Sequence, residues 1–213
     1  MDVVSFFIYS FVSIFVIVSP IGVVVTFISL TSSMTQEEKN SIATRATLLA
    51  CAICIFFAVT GHGILNVFGI SVDSLRVAGG ILLFKVAFDM LLSKVSGESV
   101  TEEEIHESLS RDDIWIFPIA LPLMTGPATI TTVVVLSGTS PLISHKLVVL
   151  LAILLTFGIC FVTLYYSRRL YKLIGYTGAH VITRLLGLFL AALAVDFVTH
   201  GVWNIYSNLA GVT

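Results

Sequence analysis

The stretch VIVSPIGVVVTF, residues 16–27, sets a proline and a glycine two positions apart inside an otherwise apolar run. Proline removes a backbone donor and clashes with the turn before it, and glycine loosens whatever helix remains. In lipid an unpaired backbone group is costly, so an interrupted span needs a compensating reason. What surrounds the stretch supplies one.

The chain has 213 residues, of which 57% are hydrophobic and 11% charged, and its mean hydropathy is +1.04. Soluble chains carry about 25% charged residues, so this composition belongs in a membrane. A net charge of −2 gives no basic surface for nucleic acid. The apolar run starts at Val3 with no basic segment before it and no small-residue cleavage site, so the first span is expected to be retained rather than removed as a signal peptide. Cys51, Cys54 and Cys160 lie inside apolar runs without polar neighbours and read as buried spectators, not as a metal or redox site. No nucleophile–base spacing, metal-ligand cluster or phosphate loop points to an enzyme, a metal or a cofactor.

Crossing the hydrocarbon takes about 20 apolar residues as a helix. Six runs qualify, over roughly 3–30, 43–67, 71–93, 114–137, 146–167 and 185–207, with the main polar breaks at 31–42, 94–113 and 168–184. The reading is an all-α polytopic membrane protein, one transmembrane domain over 1–213. Lysine and arginine placement sets its orientation. With both termini outside, Lys39, Arg45, Lys94, Arg111, Arg168, Arg169, Lys172 and Arg184 fall inside, and only Arg76 and Lys146 outside. Residues 97–113, GESVTEEEIHESLSRDD, hold seven of the thirteen acids and read as a solvated cytoplasmic linker (96–113), with a capping-box pattern at Thr101 and Glu104.

That linker halves the chain. Pro127 stands 107 residues after Pro20, and the same offset carries Asp89 onto Asp196, Gly80 onto Gly187 and Ala87 onto Ala194. Each half, 1–95 and 114–213, then has three spans, a proline break in its first and an aspartate late in its third. Three is odd, so the second copy must enter from the opposite side: an inverted-topology repeat, in which helices 1 and 4 are broken near the membrane middle and meet at a central site.

The breaks are Ser19-Pro20-Ile21-Gly22 and Thr125-Gly126-Pro127-Ala128, followed by Thr129. Exposed amides at a half-helix start favour anions, and exposed carbonyls at a half-helix end favour cations. Two facing breaks thus suit a zwitterion such as a free amino acid, with hydroxyls from Ser19, Thr125 and Thr129 to donate or accept. The plainer alternative is that the prolines only kink packed helices. Pro118 and Pro122 have no partners in the first span and read as bends.

Lys85 and Asp89 are four residues apart in the third span, and Asp196 and His200 four apart in the sixth. Such pairs share a helical face, and intramembrane ionisable groups are candidates for function. Transport coupling and structural pairing are both open for them.

SPIG with FISLTSSMT, RVAGGILLFKVAFDML and FPIALPLMTGPATITTVV occur in an order and spacing that resemble the MarC family of bacterial inner-membrane proteins and, within it, the SnatA-like amino-acid exporters. Where the family usually has asparagine before the first proline, this chain has Ser19. The resemblance implies six helices in two inverted halves and export of small neutral amino acids such as glycine, alanine, serine or threonine, with proton coupling suited to the class. The alternatives are an efflux carrier or channel for another small solute or drug, and a non-transport structural subunit. The sequence sets no oligomeric state.

Overall fold

The computed structural model describes residues 2–92, 113–139 and 142–211, and every regular element among them is helical. The elements are α1 (Val3–Val18), α2 (Pro20–Leu30), α3 (Gln36–Val67) and α4 (Val72–Leu91), then an irregular segment (Trp115–Met124), α5 (Pro127–Gly138), α6 (Ile143–Tyr165) and α7 (Ser167–Ala210). The linker expected over 96–113, with Thr101 and Glu104, lies outside the described residues except at its last position.

Helix starts follow local chemistry. Asp2 caps α1 by accepting from the Ser5 N–H at 3.1 Å. Thr35 and Glu38 cap α3 reciprocally: the Glu38 N–H donates to the Thr35 hydroxyl at 3.4 Å, and the Thr35 N–H donates to the Glu38 carboxylate at 2.7 Å. That cap starts α3 at Gln36, ahead of the apolar run expected from 43. The polar break expected over 168–184 is instead mostly helix, since α7 starts at Ser167 and departs from helical geometry only at Gly175, whose φ of 70° suits glycine.

Among the described residues, four helical stretches are long and apolar enough to cross a membrane: Val3–Leu30, Gln36–Val67, Ile143–Tyr165 and Thr177–Ala210. Trp115–Met124 and α5, bent by 55° to each other, make up to a fifth. The remaining expected span, 71–93, is α4, whose 20 residues carry Asp73, Arg76, Lys85 and Asp89. Large apolar side chains such as Phe56, Val59, Ile81, Phe84, Leu151 and Leu154 are exposed around the bundle, the surface of an integral membrane protein rather than a water-soluble one. Inside, Ile14, Phe27, Leu83, Ile119, Phe157 and Phe197 are fully buried. Thr31 and Thr132 spend their buried hydroxyls on the preceding turn, on the Phe27 carbonyl (2.7 Å) and that of Ala128 (2.9 Å), whereas those of Thr47 and Thr156 have no partner among the described residues.

The most extensive packing in the bundle joins α4 to α7. A Cβ on Gly80 would lie 2.9 Å from the Ala194 carbonyl oxygen and 3.1 Å from the Val198 nitrogen. A Cβ on Gly187 would lie 3.2 Å from the Ala87 carbonyl oxygen and 3.3 Å from the Leu91 nitrogen. The two helices therefore run antiparallel, and each glycine admits the backbone of the other helix. The contacts are also reciprocal: moving Gly80, Ala87 and Leu91 forward by 107 residues gives Gly187, Ala194 and Val198. Gly80→Val and Gly187→Val are each expected to lower the thermal midpoint in detergent, because overpacking a close backbone contact costs about 1–3 kcal/mol. Unchanged midpoints in both would show that the contact is not tight.

Candidate functional site

The first break is a single-residue joint. Ser19 has φ 46° and ψ 68°, the only non-glycine residue with positive φ among the described residues. Its N–H still closes α1 on the Phe15 carbonyl, and its carbonyl accepts from the Val23 N–H, both at 3.0 Å. Pro20, at the first position of α2, has no N–H to donate. The Ile21 and Gly22 amides are first-turn donors with no partner across the joint. The Ser19 side chain does not cap them, and its buried hydroxyl has no hydrogen-bond partner among the described residues.

The second break is larger. Phe117 and Leu121, each preceding a proline, take extended backbone angles (ψ 127° and 125°), the geometry that proline imposes on its predecessor. The Phe117–Pro118 and Leu121–Pro122 bonds are cis. Irregular backbone at membrane depth is tolerated where protein buries it, and Pro118, Ile119, Ala120 and Met124 are buried. Thr125 turns its hydroxyl (2.8 Å) and its N–H (3.0 Å) onto the Ala120 carbonyl. Gly126 then caps α5 with no side-chain bond, and Pro127 is the first helical residue. The Ala128 and Thr129 amides are thereby left as first-turn donors.

Both breaks open on one cavity of about 250 Å³, slightly below the roughly 300–1,000 Å³ typical of small-molecule sites. Ser19 and Gly22 line it from one side, and Gly126, Pro127, Ala128 and Thr129 from another. Pro20, Ile21 and Thr125 do not line it. Pro20 is buried in the packing of α2, Ile21 is rotated by about 100° from Gly22 around the helix, and Thr125 is committed to the Ala120 carbonyl. Pro122, read from sequence as a bend, lines the cavity, as do Thr26, His180 and Thr183. No spacing rule joins His180 to Ser19; only the tertiary fold does.

Lys85 and Asp89 of α4 line the same cavity. Neither forms an ion pair or hydrogen bond among the described residues, so the structural pairing considered for them is not made. The cavity therefore holds two helix starts with free amides, one ammonium, one carboxylate and the hydroxyls of Ser19, Thr129 and Thr183, none of which is hydrogen-bonded among the described residues. Each end of a small dipolar solute has a partner there.

Asp196 and His200 lie elsewhere. Their side chains meet at 3.1 Å (Nδ1 to Oδ1), and the Tyr9 hydroxyl donates to the other Asp196 carboxylate oxygen at 2.9 Å. Cys51, Cys54 and Cys160 carry free thiols, and no group of three or more His, Cys, Asp or Glu residues clusters as metal ligands would among the described residues.

The sequence profile of the MarC family integral membrane proteins matches residues 4–206. A membrane protein of Archaeoglobus fulgidus named UPF0056 is 41% identical over 197 residues, covering 92% of each chain. The UPF0056 membrane protein YvbG of Bacillus subtilis is 37% identical over 206 residues, 96% of this chain and 98% of its own. YhcE of Escherichia coli, with the same family name, is 35% identical over 199 residues, 93% of each chain. No solved structure matches the chain.

Proposed function

The chain belongs to the MarC family of integral membrane proteins, and on that premise we propose that it is a carrier, not an enzyme, exporting small neutral amino acids of the glycine, alanine, serine and threonine type from the cytoplasm by alternating access. The observation that carries the reading is the shared cavity: both proline breaks open on it, with Lys85 and Asp89 on its wall and no ion pair between them. The solute carboxylate is held by the amides of Gly22, Ala128 and Thr129 with Lys85, and its ammonium by Asp89 and the carbonyl end of α1. Ser19 supplies the hydroxyl. About 250 Å³ leaves room for a short side chain and little more.

The architecture that goes with this function is two inverted halves of three spans each, with α4 counted as the third despite its charges. The reciprocal Gly80 and Gly187 contacts support it, since antiparallel helices exchanged by a two-fold axis in the membrane plane meet in that way. The lysine and arginine bias supports a reading with both termini on the outer side of a cytoplasmic membrane, and in that reading the cavity, beside Asp89, His180 and Thr183, opens inward. Proton coupling is compatible with the titratable groups on the wall.

Thermal melts in detergent with a panel of amino acids test the reading. A ligand at a hundred times its Kd stabilises by about 2.7 kcal/mol, so glycine, alanine, serine or threonine should raise the midpoint, whereas leucine and glutamate should not. Counterflow of the labelled hit in proteoliposomes then separates a carrier from a protein that only binds. A flat response to the whole panel would remove amino acids as the solute.

A further inference from the structure

A second cavity, of about 260 Å³, lies between α1 and α7, with Tyr9, Ser13 and Val16 on one wall and Phe189, Leu193 and Asp196 on the other. Its α7 wall is the α4 wall of the central cavity in the other half of the chain. Leu82, Lys85, Val86 and Asp89 become Phe189, Ala192, Leu193 and Asp196 when moved forward by 107 residues, and all eight line their respective cavities. The α1 wall has a matching member: Val16 of the second cavity corresponds to Leu123 of the central one.

The two carboxylates are in different states. Asp89 has no hydrogen bond or ion pair among the described residues and faces the central cavity. Asp196 is engaged by Tyr9 at 2.9 Å and by His200 at 3.1 Å. The Tyr9 bond also ties α1 to α7 across 187 residues of sequence. At the position of Lys85 the second cavity has only Ala192, so the Asp196 carboxylate there has no lysine opposite it in the matched place.

We propose that the Tyr9–Asp196 hydrogen bond is the gate of the opposite side, holding α1 against α7, and that the cavity beside it, open at the bundle surface where Val12 and Phe189 are exposed, becomes the other half of the transport path. Releasing Tyr9 removes one of the two groups that engage Asp196, bringing it nearer the unengaged state of Asp89, and lets α1 part from α7 down to Val16, one helical turn before the Ser19 joint. The first half of the chain then closes over the central cavity as the second half opens. Tyr9 acts here as a positioning residue: it touches Asp196, not the solute. The inference rests on the carrier reading, but its test needs no solute.

The test uses the full chain in nanodiscs, with Cys51→Ala, Cys54→Ala and Cys160→Ala as background and a charged maleimide as probe. Val16→Cys reports the second cavity and Leu123→Cys the central one. Adding Tyr9→Phe, which removes only the hydroxyl, is expected to raise labelling at Val16→Cys at least tenfold and to lower it at Leu123→Cys. Asp196→Ala, which removes the acceptor instead, should produce the same exchange and serves if either variant folds poorly. Unchanged labelling at Val16→Cys overturns the gate, and so does a rise at both reporters, which marks general loosening. An exchange of accessibility in a protein that binds no amino acid would uphold the gate and discard the proposed solute.

Discussion

Gly22→Leu is expected to abolish solute binding and counterflow while leaving the protein at least as stable as before. A Cβ at position 22 would meet only the Ser19 side chain, 2.9 Å from its Oγ and 3.6 Å from its Cβ. That Oγ has no hydrogen bond to lose, so the serine can turn away. The rest of the leucine side chain then projects into a cavity of about 250 Å³ and occupies the space beside the first-turn amides. Replacing glycine in a helix gains up to about 1 kcal/mol of intrinsic propensity. Activity and thermal midpoint should therefore move in opposite directions, an outcome that misfolding cannot mimic. Position 126 is a poorer choice for this test. A Cβ there would lie 2.9 Å from the Pro122 carbonyl oxygen, so any side chain displaces the backbone of the break itself. Retained affinity in Gly22→Leu would show that the solute does not sit between the breaks.

Neutralising the α4 charges should have the second largest effect. Asp89→Asn and Lys85→Met are each expected to reduce counterflow at least tenfold, equivalent to about 1.4 kcal/mol of lost binding. The double variant decides between the two roles. If the residues served only to neutralise each other, removing both would restore what removing one had lost. The structure leaves them unpaired on the cavity wall, so no recovery is expected and the double variant should be at least as impaired as either single one. Recovery to the parental rate would return both residues to a structural role.

Much of this arrangement is legible in the sequence, and what is not has physical reasons. Proline and glycine are punctuation that tertiary structure rarely overrides, so the interruptions at Pro20 and Pro127 appear where the residues put them. The rare residues Gly80, Gly187, Asp89 and Asp196 expose the internal offset because an apolar chain offers few other markers. Helix boundaries are harder. Residues 168–184 are polar enough to resemble a loop, yet polar residues are good helix formers at a membrane surface, and most of the segment joins α7. The irregular run through Trp115–Met124 follows from two prolines four residues apart, but which of its residues would face a cavity was set by how α5 docks on α3 and α4. Lys85 and Asp89 are adjacent on a helix wheel, which suggests a pair; the structure instead leaves them without an ion pair among the described residues and sets both on the cavity wall. Tyr9 carries no motif at all, since its partner lies 187 residues away.

The left-handed turn at Ser19 has a consequence for how affinity should behave. A side-chain-bearing residue in that region costs roughly 1–2 kcal/mol, and Pro20 denies the chain the donor it would need to knit the helix back together. The opening is thus built during folding and stands ready whether or not anything occupies it. A visiting molecule has nothing to unwind, so differences in affinity among close analogues will report how well each one fits and how much water it sheds, uncontaminated by the work of making room.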